Sequence, residues 1–339
     1  MRVKLLHLIG FMVLAAALMH GQSGPVFWST TQPDCSILNE QPIAVPNASG
    51  ATMGYSCYVT GTFLWLAAGG VWGTAIRVAA PASGAIGVGY SFYDKTGNNL
   101  SLDTTGSVTQ SSNFVGFSLY ANQPAEIDLR GATSNAPGYG DTATGSVYAA
   151  FFCPDAATCS NVLPQLIYSA LPTYPWSLSV PIAWDNAVSH QWSAEGIDDG
   201  GARRVSLVIY NETNTATTYT VRVYNGAGTL VGTGTTPSIP GFATLADGSP
   251  GDGGTYGALL SDVVKTPLPP GIFKIIVDGG TVASAVEVLQ VSGPSATTLQ
   301  VAYDTTPAAT ASATAAEALA IRRLRVESTA RHVFRETPR

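Results

Sequence analysis

From about residue 74 the chain alternates apolar and polar positions. Ile76 and Val78 are two apart, and so are Ile86, Val88, Tyr90 and Phe92. Successive side chains of a strand point to opposite faces, so each run predicts a β-strand with one face inward. Phe117 and Leu119 continue the pattern, as do Ile127 and Leu129 after Pro124, and Gly145 to Phe152 predicts a closing strand. Asp94-Lys95-Thr96-Gly97-Asn98-Asn99 interrupts it with turn residues, since Gly and Asn tolerate positive φ.

The plan then recurs. Val205, Leu207 and Ile209 alternate, then Tyr219, Val221 and Val223, and Ile272 to Val277 and Val282 to Leu289 complete the copy. On this reading ARRVSLVIYN matches TAIRVAAP, and the turn Asn225-Gly226-Ala227-Gly228 matches that at Asp94–Asn98. Leu268-Pro269-Pro270-Gly271 takes the place of Asn122-Gln123-Pro124. A repeat of roughly 100 residues is too long for a solenoid unit and fits tandem domains, each with its own core. The expected fold is all-β: two tandem antiparallel β-sandwiches of immunoglobulin-like type, with an N-terminal signal peptide and a short C-terminal tail, helical or disordered.

The two ends break the pattern. Residues 1–21 combine Arg2 and Lys4, an apolar run from Leu5 to Met19 and small residues after it, the layout of a signal peptide. The run is short for a span of roughly 20 residues, and no later stretch is long enough to cross a membrane. At the other end, an Ala/Thr/Ser-rich linker leads into a tail with Arg322, Arg323, Arg325, Arg331, Arg335 and Arg339. Its apolar residues permit an amphipathic helix that touches a membrane or an acidic partner, the protein's own body included. A loose terminus is the reading favoured here. The organisation expected is 1–21 signal peptide, 22–160 first module with a cysteine-containing lead-in, 161–190 proline-rich linker, 191–304 second module, and 305–339 linker and tail.

Composition supports export. The 339 residues are 45% hydrophobic but only 11% charged, against roughly 25% charged for an average soluble chain. With 36 Gly and 21 Pro, this suits a secreted or cell-surface β-protein. The net charge of −6 hides basic ends around an acidic body, so no nucleic-acid partner is expected, which would need a basic face. The four cysteines, Cys35, Cys57, Cys153 and Cys159, all lie in the first half. An even count in an exported chain favours disulfides. The simplest pairing is Cys35–Cys57 and Cys153–Cys159, with Cys57–Cys153 among the alternatives.

The strands TAIRVAAP and RRVSLVIYN, the turns FYDKTGNNL and VYNGAGTL, and the proline-marked strands after them resemble a sandwich module of secreted proteins from acidobacteria and similar environmental bacteria. In that module TxxxLxNxxxxxAxxxxxFYDxxGNxL recurs. The resemblance covers about two thirds of the chain. It implies an extracellular structural or binding role and carries over no catalytic residue. The first module departs from it, with AAPAS in place of a polar turn and an extra cysteine lead-in.

Candidate chemistry is sparse. His190 is the one histidine of the body, and no GxSxG accompanies it, so no Ser–His–acid enzyme is expected. Glu126 and Asp128 share one strand face and read as a solvated face rather than a glycosidase pair. No cofactor is expected. Two acidic Gly-rich loops make calcium a candidate, with Asp198, Asp199, Asp247 and Asp252 as the ligands, because calcium takes six to eight hard oxygens. Asp and Gly are also the ordinary residues of turns. Trp176, Trp184 and Trp192 cluster around the linker and are candidates for stacking on a sugar, packing being the competing use. The function expected is a non-enzymatic structural, adhesive or interaction protein of the bacterial exterior. The alternative is a lectin-like carbohydrate binder, with calcium as a candidate aid. The partners would be other extracellular proteins or cell-surface polysaccharide.

Overall fold

The structure is a computed structural model, which describes residues 27–46, 49–69, 72–132, 143–170, 174–184, 189–200, 203–292, 296–300 and 313–336. The expected signal peptide lies outside the described residues.

The alternating runs become strands. In the first half these are β1 (Ile43–Pro46), β2 (Thr52–Ala68), β3 (Trp72–Ala79), β4 (Ile86–Asp94), β5 (Leu102–Gly106), β6 (Gln110–Ser112), β7 (Phe114–Leu119), β8 (Pro124–Ala132), β9 (Ala143–Cys153), β10 (Gln165–Ala170), β11 (Tyr174–Pro181) and β12 (Ala183–Trp184). In the second half they are β13 (Gln191–Asp198), β14 (Arg203–Asn211), β15 (Thr220–Asn225), β16 (Leu230–Thr235), β17 (Thr255–Leu259), β18 (Gly271–Asp278), β19 (Ser284–Ser292) and β20 (Ala296–Gln300). A helix spans Ala313–Glu336.

Four antiparallel sheets result. One runs β1-β2-β9-β4-β7, with β12 added to β2, and the second runs β11-β10-β3-β8-β5-β6. Val88, Tyr90 and Phe151 from the one and Ile76, Ile127 and Leu166 from the other share a core. The third sheet, β13-β18-β15-β16, and the fourth, β17-β14-β19-β20, enclose a second core around Trp192, Leu207, Val221 and Ile275. The protein is therefore all-β with sandwich-like pairs of sheets.

The topology keeps the match of the proline-marked and closing strands, β8 with β18 and β9 with β19, and shifts the earlier part of the repeat by one strand. The order β3-β8-β5-β6 matches β13-β18-β15-β16, and β9-β4-β7 matches β19-β14-β17. So RRVSLVIYN (β14) corresponds to β4, not to TAIRVAAP in β3, and the Asp94 and Asn225 turns are not equivalent. Alternation reveals a strand but not which sheet it joins; pairing decides that.

The proline-rich stretch at 161–190 is not a free connection. There β10 and β11 pair with each other antiparallel, β10 pairs with β3, and β12 pairs with β2. Both disulfides follow the simplest pairing, Cys35–Cys57 and Cys153–Cys159. Cys57 and Cys153 face each other in the β2–β9 register, yet each bonds to the cysteine nearer in sequence.

One sheet is covered on both faces. Along β4, Ile86, Val88, Tyr90 and Phe92 enter the core, while Gly87 and Gly89 face the other way. A side chain at Gly87 would strike the Phe27 ring at 2.6 Å, and one at Gly89 would strike Thr329 at 2.6 Å. The two glycines thus open a trough, filled by Phe27 and the C-terminal helix. Val326, Ala330 and Val333, at helical spacing, are buried there against Tyr148, Ala150 and Phe152 of β9. The basic tail is accordingly a docked helix from Ala320 on, not a loose end.

Candidate functional site

The helix, the first half and the second half meet at one buried carboxylate. Asp252, in the Gly-rich loop before β17, is fully buried. Its Oδ2 accepts from Ser146 Oγ of β9 at 2.8 Å. Oδ1 accepts from the Tyr210 hydroxyl of β14 and from Gly253 N–H at 2.9 Å. Arg325 of the helix places Nη2 2.9 Å from Oδ1, and its guanidinium lies 3.8 Å from the Tyr148 ring centroid. Burial opposes the Arg325 charge, but Asp252 foremost, with Tyr210, Tyr93 and Tyr148, holds its pKa well above the ordinary value. A charge buried this deeply requires such a partner.

Backbone contacts reinforce the junction. Asp252 N–H donates to Gly97 C=O at 2.9 Å, and Thr255 N–H to Lys95 C=O at 3.0 Å. Thr255 Oγ1 donates to Leu64 C=O at 2.7 Å. Gly97 has φ +85°, and a Cβ there would sit 1.9 Å from Asp252 C=O. Only glycine suits both the turn and the contact. Trp65 lies flat against Gly257 of β17, and Arg322 pairs with buried Glu212.

Beside this interlock is a polar cavity of about 250 Å³. The first half contributes Tyr93, Asn99, Asn113 and Phe114, the loop before β17 contributes Leu245, Asp247 and Ser249, and the helix contributes Arg325, Thr329 and His332. Burial raises the Tyr93 pKa. Hydrogen bonds from the Ser249 hydroxyl and N–H to Oδ1, and then the His332 charge, lower that of Asp247 and keep it ionised.

The four candidate calcium ligands are not gathered. Asp198 is buried beside Arg204, 3.8 Å away, and caps the turn at Gly200 N–H. Asp199 receives Arg203 N–H at 2.8 Å. Asp247 lies exposed at the cavity rim, and Asp252 is sealed in the interlock. Among the described residues no three His, Cys, Asp or Glu side chains come together as a metal-holding group.

The tryptophans part company too. Trp192 is 1% exposed, and its Nε1 donates to Ser189 and Ser284 C=O, both at 3.1 Å. It is a core residue with no face for a sugar. Trp184 is half-buried, edge-on to Phe151. Trp176 belongs to β11, but its side chain lies outside the described residues. Glu126 pairs with Arg77 on the solvated face of β8 and β3. His190 uses its C=O to accept Gly279 N–H at 2.9 Å.

The residues that sequence patterns missed are Ser146, Tyr210, Arg325 and the cavity amides Asn99 and Asn113. Arg325 left a trace as a charge beside Val326 on the apolar stripe of the tail, and Asn99 as a turn residue.

No known protein family matches the chain, and no match is found among curated proteins.

Proposed function

We propose that this is an exported, non-enzymatic structural or adhesive protein of the bacterial exterior, built from two immunoglobulin-like sandwich modules and presenting their surfaces to other extracellular proteins or to polysaccharide. One observation carries the reading: the buried ion pair of Asp252 and Arg325 ties both halves and the helix together. Two disulfides in the first half are compatible with an oxidising exterior. Among the described residues no helix is long and apolar enough to cross a membrane.

The test is binding of the purified chain to intact cells and to insoluble cell-wall polysaccharides, alongside hydrolysis assays on the same polymers. Retention without turnover is expected, and turnover on any polymer would sink the non-enzymatic reading. The polar cavity favours a second reading, a saccharide binder, in place of the tryptophan cluster.

A further inference from the structure

We propose that the cavity between β4, the loop before β17 and the C-terminal helix binds a neutral polyhydroxyl ligand of monosaccharide size, as a free sugar or as one residue of a polysaccharide. This rests on the saccharide reading above and gives it a location.

Size comes first. About 250 Å³ lies just below the roughly 300–1,000 Å³ that drug-sized ligands occupy. The space suits one sugar ring and not an oligosaccharide.

The lining chemistry narrows the class. Asn99 and Asn113 offer amides, each a donor and an acceptor, and neither amide has a hydrogen bond with another described residue. Asp247 is an acceptor only, and both bonds it receives from Ser249 land on Oδ1. A sugar hydroxyl both donates and accepts, so carboxylate, amides and serine hydroxyls together match vicinal hydroxyls.

Charge excludes the nearest competitors. Arg325 lines the cavity but is matched by Asp252 behind it. Asp247 therefore repels a phosphate, and a single lining carboxylate is a poor match for the roughly six to eight hard oxygens a calcium ion takes. The partly buried Phe114 ring, on the cavity lining and 5.2 Å from the His332 ring, supplies an apolar edge for the C–H face of a pyranose. The site also needs the interlock, since three parts of the chain build it.

The experiment uses the full chain, with saturation-transfer NMR and calorimetry. The probes are the methyl glycosides of glucose, galactose, mannose, xylose and N-acetylglucosamine, with inorganic phosphate beside them. A parallel arm measures retention on cellulose, xylan, mannan and chitin. The variant is Asn99→Ala with Asp247→Ala; both residues are exposed, and a melting curve checks the fold. Losing a charged and a neutral hydrogen bond should weaken binding at least about tenfold.

Saturable glycoside binding that falls this far in the variant supports the site. Polymer retention that falls with it assigns a polymer-borne residue, and glycoside binding without retention assigns a free sugar. Binding left intact in the variant overturns the site while the saccharide reading stands. Binding of phosphate but no glycoside overturns the ligand class. Absence of binding to every glycoside and polymer overturns both.

Discussion

Arg325 and Asp252 form an ion pair with Nη2 and Oδ1 2.9 Å apart, and their side chains are 3% and 0% exposed. Removing one partner of such a pair leaves the other charge buried, at about 3–5 kcal/mol. Arg325→Met should therefore destabilise the protein by about that much and make the C-terminal helix sensitive to protease. Adding Asp252→Asn should restore part of the loss, because it removes the buried carboxylate charge left without a partner and keeps one side-chain oxygen for Tyr210 or Ser146. Chemical denaturation of the two single variants and the double variant measures the coupling.

Gly97 should not tolerate a side chain. Its positive φ strains any other residue, and the Cβ would collide with Asp252 C=O. Gly97→Val is expected to part the turn from the Asp252 loop, lowering the melting temperature and exposing the amides of Asp252 and Thr255 to hydrogen exchange. Gly228 has φ +78° with open space around it, so Gly228→Ala should cost only about 1 kcal/mol of strain. Equal losses in the two variants would refute the role of contact.

Glu287 sets a pH dependence. It is 3% exposed, on the face of β19 turned to the first half, and burial pushes its carboxyl from 4.5 to about 8. Between those values the folded chain holds a proton that the unfolded chain has released. Stability from this group is therefore greatest below the unfolded pKa. It falls by about 1.4 kcal/mol per pH unit as pH rises and levels off above the folded pKa. Glu287→Gln should flatten that slope and gain stability relative to the parent toward the alkaline side. Urea denaturation across the window, compared between the two proteins, reads the difference.

The disulfides should differ in weight. Cys35–Cys57 closes a separation of 22 residues and Cys153–Cys159 one of 6. Loop-closure entropy assigns about 3 kcal/mol to the first and about 2 kcal/mol to the second. Paired Cys→Ser variants should rank in that order by chemical denaturation. Loss of Cys35–Cys57 should also loosen the lead-in that holds Phe27 in its trough.

Much of the fold was legible because strand burial writes itself into period two. The run GSVYAAFFC was legible as a closing strand, and the structure shows why it is apolar at nearly every position: β9 is covered on both faces. Pairing partners were not legible, and the opening strands of the repeat were read one strand out of step for that reason, while the proline-marked and closing strands were matched correctly. The proline-rich segment concealed two paired strands because β10 and β11 sit on the flank of their sheet, β11 at its edge, where proline is tolerated. The burial of Asp252 was not legible, because a Gly-Asp-Gly-Gly loop carries no mark of what covers it. What covers it is the C-terminal helix, and the helix docks where Gly87 and Gly89 leave room. A one-dimensional pattern carries each half of that fit but not the fit itself. The cavity shares this origin, since its amides come from the first half, its carboxylate from the loop before β17 and its cationic edge from the helix.

Phe27 and Phe334 stack with centroids 5.1 Å apart and planes 17° from parallel. Two residues near opposite ends of the described chain are thus neighbours over one sheet. In space, the described chain nearly closes on itself. A circular permutant joined by a short linker from the end of the helix to Phe27, and reopened at the exposed Asn225–Gly228 turn, would keep every contact described above. Its new ends would emerge from the second half.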